Sequence, residues 1–502
     1  MLRARPNTLQ YETLEHEINC LIGRLGAGIV RGVAYDTAWI ARLAPRYPGR
    51  RFDYALEWLR RNQNEDGTWG GALEQYHDRF VSTLAAIVAL REVGTDHRDE
   101  RRARRGEQAL WKIVGRLGRD DSDTIGFPII AAALGHEAQE LGLDVPLPPL
   151  RFGGAYRKKV QALLDSEYRD WTHNTVTFSL EALRHAVKNS DRVLEENGSV
   201  TSSPSATAAY LMTCNGSAPE AALRYLQSIQ QEDGSIPAVA PIDLFEIAWS
   251  INYLRMVGAI QPDTPGVPPL LDYLWGAWSP EYGAGYSTFH GVTDSDGTSS
   301  CFTVLRWGGY PVSADVFEYF EGDDYFYCFH GETNPSLSAN VRLLAALRTC
   351  PEHPRHPAWM GKVVNALHRF DENGSYWWDK WHVSPYYVSG IALDALQGVD
   401  DDLVYSRLKW ILRTQNDDGG WGYLGLSTPE ETAYCLEPLV RWSTVTDLVD
   451  RAVLDAAADY LWKHADDERA IPLWIGKSLY YPPSPVQAAI LGALFRYTTV
   501  MG

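Results

Sequence analysis

Apolar residues recur at helical spacing along almost the whole chain. In RFVSTLAAIVALREVG (79–94) and FPIIAAALGHEAQELGL (127–143) they follow a period near 3.6 residues, and each segment ends close to Gly or Pro. Alternating strand patterns are scarce, and connections such as QPDTPGVPP (261–269) are rich in Pro and Gly. The pattern predicts an all-α protein built of many short to medium helices.

A loose internal repeat indicates how these helices are arranged. QNEDGTWGG (63–71) recurs as QNDDGGWGY (415–423), and QQEDGSIPA (230–238) is a weaker copy. Asp-Gly supplies a tight turn after a helix, and the Trp that follows can pack back on that helix. We interpret the repeat as a turn and packing unit of stacked helical hairpins. It predicts two α/α toroids with a cleft between them, and the Pro-rich stretch is a candidate boundary.

Composition narrows the classes of function. A chain of 502 residues is long enough for two or three domains, and 18 Trp and 27 Tyr indicate aromatic interiors. The net charge of -18 disfavours binding to nucleic acid or to anionic membranes, so an anionic ligand needs a local basic pocket. Six Cys without CxxC spacing are typical of free buried thiols. Because the sequence has no signal-peptide core and no apolar span, we expect a cytoplasmic protein without integral membrane segments.

The stretch TDSDGTSS (293–300) places two aspartates, Asp294 and Asp296, directly before a predicted helix, CFTVLRW (301–307). One interpretation is helix N-capping, for which Asp, Ser and Thr are preferred. The other is a shared pocket in which two carboxyls disfavour each other's charge and one proton is retained. Burial would then favour the protonated form, and such an acid could protonate a weak base such as an alkene.

At this stretch, and at many others along its length, the chain resembles the class II terpene cyclases, and in particular bacterial diterpene cyclases of the halimadienyl and copalyl diphosphate synthase type. The segments that carry the resemblance follow one another in the family's order over nearly the whole chain. They are AYDTAWIARL (34–43), LEWLRRNQNEDGTWG (56–70), DRFVSTLAAIVALR (78–91), ENGSVTSSPSATAAYL (196–211), DLFEIAWSINYLR (243–255), DSDGTSS (294–300), GYPVSADVFEYFE (309–321), DKWHVSPYY (379–387), STPEETAYC (427–435) and PLWIGKSLYY (472–481).

The resemblance implies two α-barrel domains named β and γ, with γ inserted into β and the site between them. On this chain residues 1–49 would begin β, 50–255 would form γ, and 256–502 would form the main part of β with the acid motif. No DDxxD motif occurs, so ionisation of a diphosphate is not expected. The retained diphosphate makes a class I synthase or a phosphatase a possible downstream partner.

The family's DxDD motif carries a general acid on its middle Asp, which protonates the terminal alkene of a linear prenyl diphosphate. Matched residue by residue, the resemblance implies that Asp296 is the acid, with Asp294 as its partner. Gly297 stands at the fourth position, where the family has a carboxylate and some bacterial relatives have Thr. The same resemblance suggests Asn340 as a hydrogen-bonding neighbour of the acid.

Substrate-binding residues follow from the same comparison. A carbocation needs a dry cavity, and aromatic faces can stabilise it without attacking it. Aromatic candidates lie near the motifs, although each could equally be a core residue: Tyr286, Trp378, Trp381, Tyr386 and Tyr434. Lys380 matches a family lysine that contacts diphosphate, and Lys477 is a second candidate; surface lysines are the alternative for both.

An acidic cluster, RDDSDTIGF (119–127), stands where related cyclases carry a loose magnesium motif. Asp120, Asp121 and Asp123 could supply oxygen ligands to Mg²⁺ held with the diphosphate, or they could be a solvated loop. The basic segment YRKKVQ (156–161) lies near a family diphosphate-binding lysine, but Ala162 falls at the matching position.

The expected activity is protonation-initiated cyclisation of geranylgeranyl diphosphate to a bicyclic diterpenyl diphosphate. A cyclase that makes a drimenyl-type product from farnesyl diphosphate carries the same motifs. A squalene-type cyclase would have more DGxWG-like repeats, a zinc prenyltransferase needs a metal-ligand set that is missing here, and a carbohydrate-active toroid needs two carboxylates across a groove. A non-catalytic binding toroid is the remaining alternative, and it gives no reason to bury Asp294 and Asp296 beside a cavity.

Overall fold

Helices make up nearly all regular structure in the residues that the computed structural model describes, which are 8–149, 175–183, 193–214, 218–332, 334–465 and 470–502. The helices of the first half are α1 (Thr8–Ile22), α2 (Ala34–Ala41), α3 (Asp53–Arg61), α4 (Tyr76–Val93), α5 (His97–Ile113), α6 (Phe127–Glu140), α7 (Pro204–Thr213), α8 (Glu220–Ile229) and α9 (Asp243–Met256). Those of the second half are α10 (Val267–Ala277), α11 (Ser295–Trp307), α12 (Leu337–Leu347), α13 (His356–Arg369), α14 (Pro385–Ala395), α15 (Asp401–Arg413), α16 (Pro429–Trp442), α17 (Arg451–His464) and α18 (Pro483–Met501).

Short 3₁₀ helices and two small ribbons complete the regular structure of the described residues. The 3₁₀ helices span Val114–Arg119, Thr175–Leu183 and Ala314–Phe320. Strand β1 (Gly32–Val33) pairs antiparallel with β2 (Ile236–Pro237), and β3 (Trp474–Ile475) pairs antiparallel with β4 (Leu479–Tyr480). The prediction of a helical protein is thus confirmed.

Local sequence explains where several inner helices begin. Ser203, Ser384 and Thr428 each precede a Pro, and each side-chain hydroxyl accepts a backbone N–H of the first helical turn of α7, α14 and α16 respectively. Each helix thus begins with a preferred N-cap residue followed by Pro at the first helical position. Pro lacks an N–H, but no helical hydrogen bond is lost, because an N–H at this position has no partner within the helix. A Ser-Pro or Thr-Pro pair therefore marks the N-terminus of each of these three barrel helices.

The helices close into two rings, each around its own hydrophobic core. In the second ring α9, α11, α12, α14, α16 and α18 pack in that order and α18 returns to α9; in the first, α2, α4, α6, the 3₁₀ helix Thr175–Leu183 and α7 close in the same way. Helix α1 packs on α18. These are the two α/α barrels that the repeat and the family resemblance predict.

The chain passes between the two cores at the β1–β2 ribbon, where Gly32 faces Pro237 and Val33 faces Ile236. Buried residues from Ala34 to Ile236 form the first core, while Val30 and residues from Val239 onward belong to the second. Helix α2 therefore packs in the first core and α9 in the second. The domain bounds predicted at residues 49 and 255 assign α2 to β and α9 to γ, which is the opposite arrangement. The ribbon places the crossing points nearer residues 31 and 238 than those bounds.

The repeated DGxWG motifs act as predicted. The indole N–H of Trp69 donates to the Leu59 carbonyl at 2.9 Å, and that of Trp421 donates to the Ile411 carbonyl at 2.8 Å, so each ring packs back on the helix before the turn. Trp377 makes the same contact with the Leu367 carbonyl at 3.1 Å, in a copy that the sequence comparison missed.

All six cysteines have free thiols, and Cys301, Cys328, Cys350 and Cys435 are buried as predicted, whereas Cys20 is exposed. Within the described residues no helix combines the length and the apolar character needed to cross a bilayer.

Candidate functional site

An apolar cavity lies between the two barrels, with an empty volume of about 1010 Å³ counted out to its opening. Its wall combines Ile125 and Phe178 from the first barrel with side chains at the N-terminal ends of α9 and α11 and from the β3–β4 ribbon. A concave, mostly apolar space at the interface of two domains is a typical place for a small-molecule ligand. Asp294 and Asp296 are the carboxylic side chains among its described lining residues.

Asp294 is the N-cap of α11. Its Oδ1 accepts the Gly297 N–H at 2.6 Å, and its side chain is 6% exposed. Burial raises its pKa to about 7, although hydrogen bonds from the backbone of Gly297 and Asp296 and the charge of Lys380 oppose the shift. The capping interpretation is therefore correct for this residue, whose oxygen is already occupied as an acceptor.

Asp296 lies in the first turn of α11 and faces the cavity. Burial raises its pKa to about 7; the charge of Arg342 opposes this shift and the charges of Asp294 and Asp379 add to it. Its Oδ1 lies 3.2 Å from Arg342 Nε, at an angle outside hydrogen-bond geometry. Because the pKa is near neutrality, this carboxyl can hold a proton in the resting site and exist as an anion after losing it.

Arg342 fixes the charge beside this acid. Its guanidinium stacks over the Trp249 ring at 4.3 Å from the centroid and donates to the Tyr387 hydroxyl at 2.9 Å. Such a partnered, buried cation cannot swing into the cavity, but its field favours the Asp296 anion. Sequence reasoning missed Arg342, because nothing local distinguishes it from other helix arginines.

Gly297 replaces the fourth motif residue for a packing reason. A Cβ at this position would lie 3.0 Å from the Gly285 carbonyl oxygen and 3.2 Å from that of Ala284. The loop before the motif thus packs directly on the backbone of α11, and a carboxylate there would require this loop to move.

Asn340 does not contact the acid, which corrects the predicted role. Its amide NH₂ donates to the carbonyls of Phe326 and Ser336, and its Oδ1 accepts the Phe326 N–H. The carboxylate beside the acid is Asp379, in the segment between α13 and α14, which accepts from the Ser336 hydroxyl and from both the backbone and the hydroxyl of Ser338. Asn340 and Asp379 hold the loop and the helix end behind Asp296.

Two of the five aromatic candidates line the cavity. Tyr286 stacks on His290 and donates to the Thr201 carbonyl across the barrel interface at 2.9 Å, and Trp381 lies beside Phe329. The other three are packing residues. Trp378 contacts Tyr376 and Tyr423 edge-on, Tyr386 stacks on Trp410 at 4.5 Å, and Tyr434 donates to Glu430 behind the cavity wall.

Most of the aromatic wall comes from residues that sequence reasoning did not select. They are Phe178, Phe245, Trp249, Phe329, Trp474 and Tyr480. Phe245, Trp249, Trp474 and Tyr480 stand in segments that carry the family resemblance, DLFEIAWSINYLR and PLWIGKSLYY. Adding every aromatic of these segments to the candidates would have found them.

Lys380 lies close to Asp294, whose pKa its charge lowers. Its ammonium pairs with Glu332 at 2.5 Å, donates to the Asn334 carbonyl and lies over the Trp381 ring, 5.1 Å from the centroid. The described residues that line the cavity include no Lys or Arg. Lys380, whose ammonium lies over the ring of the cavity residue Trp381, is therefore the candidate anchor for a diphosphate. Binding of diphosphate by Lys380 stays a prediction.

Lys477 is fully buried and its ammonium is saturated, which contradicts a substrate-binding role. It pairs with Glu181 at 2.7 Å and donates to the hydroxyls of Ser203 and Ser205. Glu181 also accepts from the Tyr35 hydroxyl. Lys477 therefore joins the β3–β4 ribbon to the first barrel.

The predicted magnesium cluster is organised around a histidine. Asp120 accepts from the backbone and ring of His77, and Asp123 lies 3.0 Å from the other ring nitrogen. Burial lowers the His77 pKa, but these two carboxylates outweigh it and the pKa lies above its usual value. Asp121 instead lies beside Tyr423. Binding of Mg²⁺ by Asp120, Asp121 or Asp123 together with a diphosphate stays a prediction, because this ion usually takes one or two carboxylates and completes its coordination with phosphate and water. The basic segment 156–161 and Ala162 lie outside the described residues.

These contacts define what the site can do chemically. It presents two buried carboxyls at an aromatic cavity: Asp294 caps α11, and Asp296 has a fixed cation behind it. The described lining contains no basic side chain apart from His290. Such a site can deliver a proton to an apolar ligand and then shelter a cation from water.

Comparison with known proteins gives the following matches. Residues 333–444 match the squalene-hopene cyclase C-terminal domain family. A type B diterpene cyclase of Mycobacterium tuberculosis is 35% identical over 492 residues, which cover 94% of this chain and 96% of that protein. An ent-copalyl diphosphate synthase of a Streptomyces species is 31% identical over 491 residues, or 93% of this chain and 92% of that protein.

The fold matches as well. The structure of ent-copalyl diphosphate synthase from Streptomyces platensis superimposes with a TM-score of 0.80 and 29% sequence identity, over 96% of this chain and 99% of that one.

Proposed function

The chain belongs to the class II diterpene cyclases, and from that premise we propose that it cyclises geranylgeranyl diphosphate to a bicyclic diterpenyl diphosphate, with the diphosphate retained. The observation that carries the proposal is the placement of Asp296, a buried carboxyl with a pKa of about 7, on an aromatic cavity between two barrels.

The reaction begins with proton transfer from Asp296. Its O–H bond breaks as a C–H bond forms at the terminal double bond of the substrate, which leaves a tertiary carbocation. Neighbouring double bonds of the chain attack in turn and close two rings. The Asp296 carboxylate that remains is stabilised by the Arg342 guanidinium, 3.2 Å away. Loss of a proton from the cyclised cation restores neutrality, so the overall change is an isomerisation.

The cavity wall supports the later steps. Trp249, Trp474, Phe245 and Tyr480 present ring faces or edges to the space beside the acid. Each cation–π contact is worth about 0.5 to 2 kcal/mol, depending on solvation. The aromatic carbons and Val239 that make up much of the lining are poor nucleophiles, which favours rearrangement of the cation over its capture.

The product keeps its diphosphate, so the reaction that consumes it is ionisation or hydrolysis of that group. A class I synthase or a phosphatase is the proposed downstream enzyme.

The test is incubation of the purified protein with geranylgeranyl diphosphate and, separately, farnesyl diphosphate, followed by dephosphorylation and mass-spectrometric analysis of the alcohols. We expect a bicyclic twenty-carbon alcohol. Consumption of the farnesyl substrate alone would replace this proposal with the drimenyl-type activity, and consumption of neither would reject cyclase activity.

A further inference from the structure

The Trp474 indole faces the cavity on one side and a buried carboxylate on the other. Its ring packs edge-on against Phe245 at 5.0 Å and against Tyr387 at 4.9 Å. Its Nε1–H donates to Glu430 Oε1 at 2.8 Å. Glu430 lies in the first turn of α16, is 2% exposed and does not line the cavity.

Three donors converge on that one oxygen of Glu430. Besides the indole, the Tyr434 hydroxyl donates at 2.9 Å and His382 Nε2 lies at 3.2 Å. His382 Nδ1 lies 3.1 Å from the Ser384 N–H and 3.3 Å from the Ser384 carbonyl, and the shorter contact assigns the ring proton to Nε2. An ionised carboxylate, which only accepts, satisfies all three donors, and the N-terminus of α16 favours its charge.

We infer that Glu430 is a positioning residue for cyclisation: by accepting the Trp474 indole N–H, it fixes that ring in the cavity wall and makes its face more attractive to the cationic intermediates. This inference rests on the proposed function. A negative charge on the N–H side of an indole strengthens the negative potential of the ring face, which is the part that attracts a cation. The carboxylate stays behind the wall, where it can neither take a proton from the intermediate nor combine with it.

The charge of Glu430 also acts on a second cavity residue, Tyr480. The pKa of the Tyr480 hydroxyl is raised chiefly by burial and next by the charge of Glu430. The field of this carboxylate therefore extends to a cavity side chain other than the one it contacts.

The test uses the full chain with the substitution Glu430→Gln, which keeps the volume and one acceptor but removes the charge. Binding of two probes is measured by calorimetry: a geranylgeranyl diphosphate analogue with a tertiary ammonium nitrogen in place of a cationic carbon, and its neutral carbon isostere. We expect the variant to lose about tenfold in affinity for the ammonium probe, in the range of one strong cation–π contact, and to bind the neutral probe as the native chain does.

The matched control is Glu431→Gln. Glu431 is equally buried on the same turn, but it accepts from the Tyr423 backbone and the Thr428 hydroxyl instead of Trp474. We expect Glu431→Gln to bind each probe with the affinity of the native chain, within error. Trp474→Phe, which keeps a ring and removes the N–H, should lose the same preference for the ammonium probe. Adding Glu430→Gln to Trp474→Phe should then change neither affinity further. The Trp474 variant also tests the inference if Glu430→Gln does not fold.

Equal losses for both probes in Glu430→Gln, or an unchanged ammonium preference in folded Glu430→Gln or Trp474→Phe, would overturn the inference. Failure of the native chain to turn over any prenyl diphosphate would instead overturn the proposed function, so the two failures are distinguishable.

Discussion

Two buried clusters in this molecule have similar electrostatics and different consequences. The acid site consists of Asp294, Asp296 and Arg342; the interface cluster consists of Asp36, Glu181 and Lys477. In both, burial raises the pKa of an aspartate to about 7 against the opposing charge of a buried cation, Asp296 in the first and Asp36 in the second.

Access to the cavity separates the two clusters. Asp296 lines the cavity, whereas none of the three interface residues does. Asp36 accepts the Ser205 backbone N–H at 3.0 Å, and the Lys477 ammonium is saturated by Glu181 and two serines. A displaced pKa therefore marks buried charge, and only contact with the space for a ligand makes such a carboxyl an acid catalyst.

The largest expected effect comes from removing the acid. Asp296→Ala and the isosteric Asp296→Asn should lower turnover of geranylgeranyl diphosphate by about 10³-fold or more, because the other carboxyl in the cavity lining, Asp294, is engaged as the cap of α11. Asp36→Asn is the matched control, and its folded fraction should retain turnover. Near-normal rates for a folded Asp296 variant would reject the assignment, and so would equal losses for both aspartates.

Breaking the interface cluster should affect stability instead. Lys477→Met leaves Glu181 buried without its cation, so we expect the free energy of unfolding to fall by about 3 to 5 kcal/mol. Urea unfolding measures this directly. If stability is unchanged and the KM for the prenyl diphosphate rises, Lys477 binds substrate after all.

The pH dependence of kcat/KM tests the acid site of this comparison. Asp296 must be protonated to react, so kcat/KM should be constant below its pKa of about 7 and fall as the pH rises above it. The charge of Arg342 holds this pKa down. Arg342→Gln should therefore move the falling limb to higher pH and lower the plateau, because the acid becomes weaker. Arg348→Gln, at the far end of the same helix, should leave the limb in place. An unmoved limb in the Arg342 variant would show that the pair is not coupled.

The smallest expected effect is at Lys380. Its ammonium is partly exposed, so Lys380→Ala should raise the KM for the prenyl diphosphate about fivefold, equivalent to roughly 1 kcal/mol, with little change in kcat. Lys362→Ala is a suitable control, since that ammonium binds Glu321 and the Gly322 carbonyl. Identical kinetics for Lys380→Ala and the native chain would remove it from the diphosphate site.

Periodicity and turn chemistry predicted much of the fold. The apolar pattern of residues 79–94 corresponds to α4, and the DG turns with their following Trp are the packing units expected. Domain bounds were less accurate because they depend on the pairing of Gly32–Val33 with residues 236–237, which brings together segments far apart in sequence.

The site was predicted in part, for a related reason. Asp294 and Asp296 lie within one motif, so their proximity could be read locally. Arg342 and Glu430 act through contacts made by distant helices, and no local pattern reports them. Lys477 illustrates the converse: its apolar flanks are compatible with a ligand pocket or with a buried ion pair, and only the position of Glu181 decides between them.

The central claim is that Asp296 gives its proton to a carbon–carbon double bond. Turnover of geranylgeranyl diphosphate in deuterium oxide tests it most directly, since the acid exchanges its proton with solvent before each cycle. We expect each bicyclic product molecule to carry one deuterium, in the ring methylene formed from the CH carbon of the terminal double bond, and Asp296→Asn to form no such product. Products without solvent deuterium, or release of inorganic diphosphate as the first step, would contradict the account.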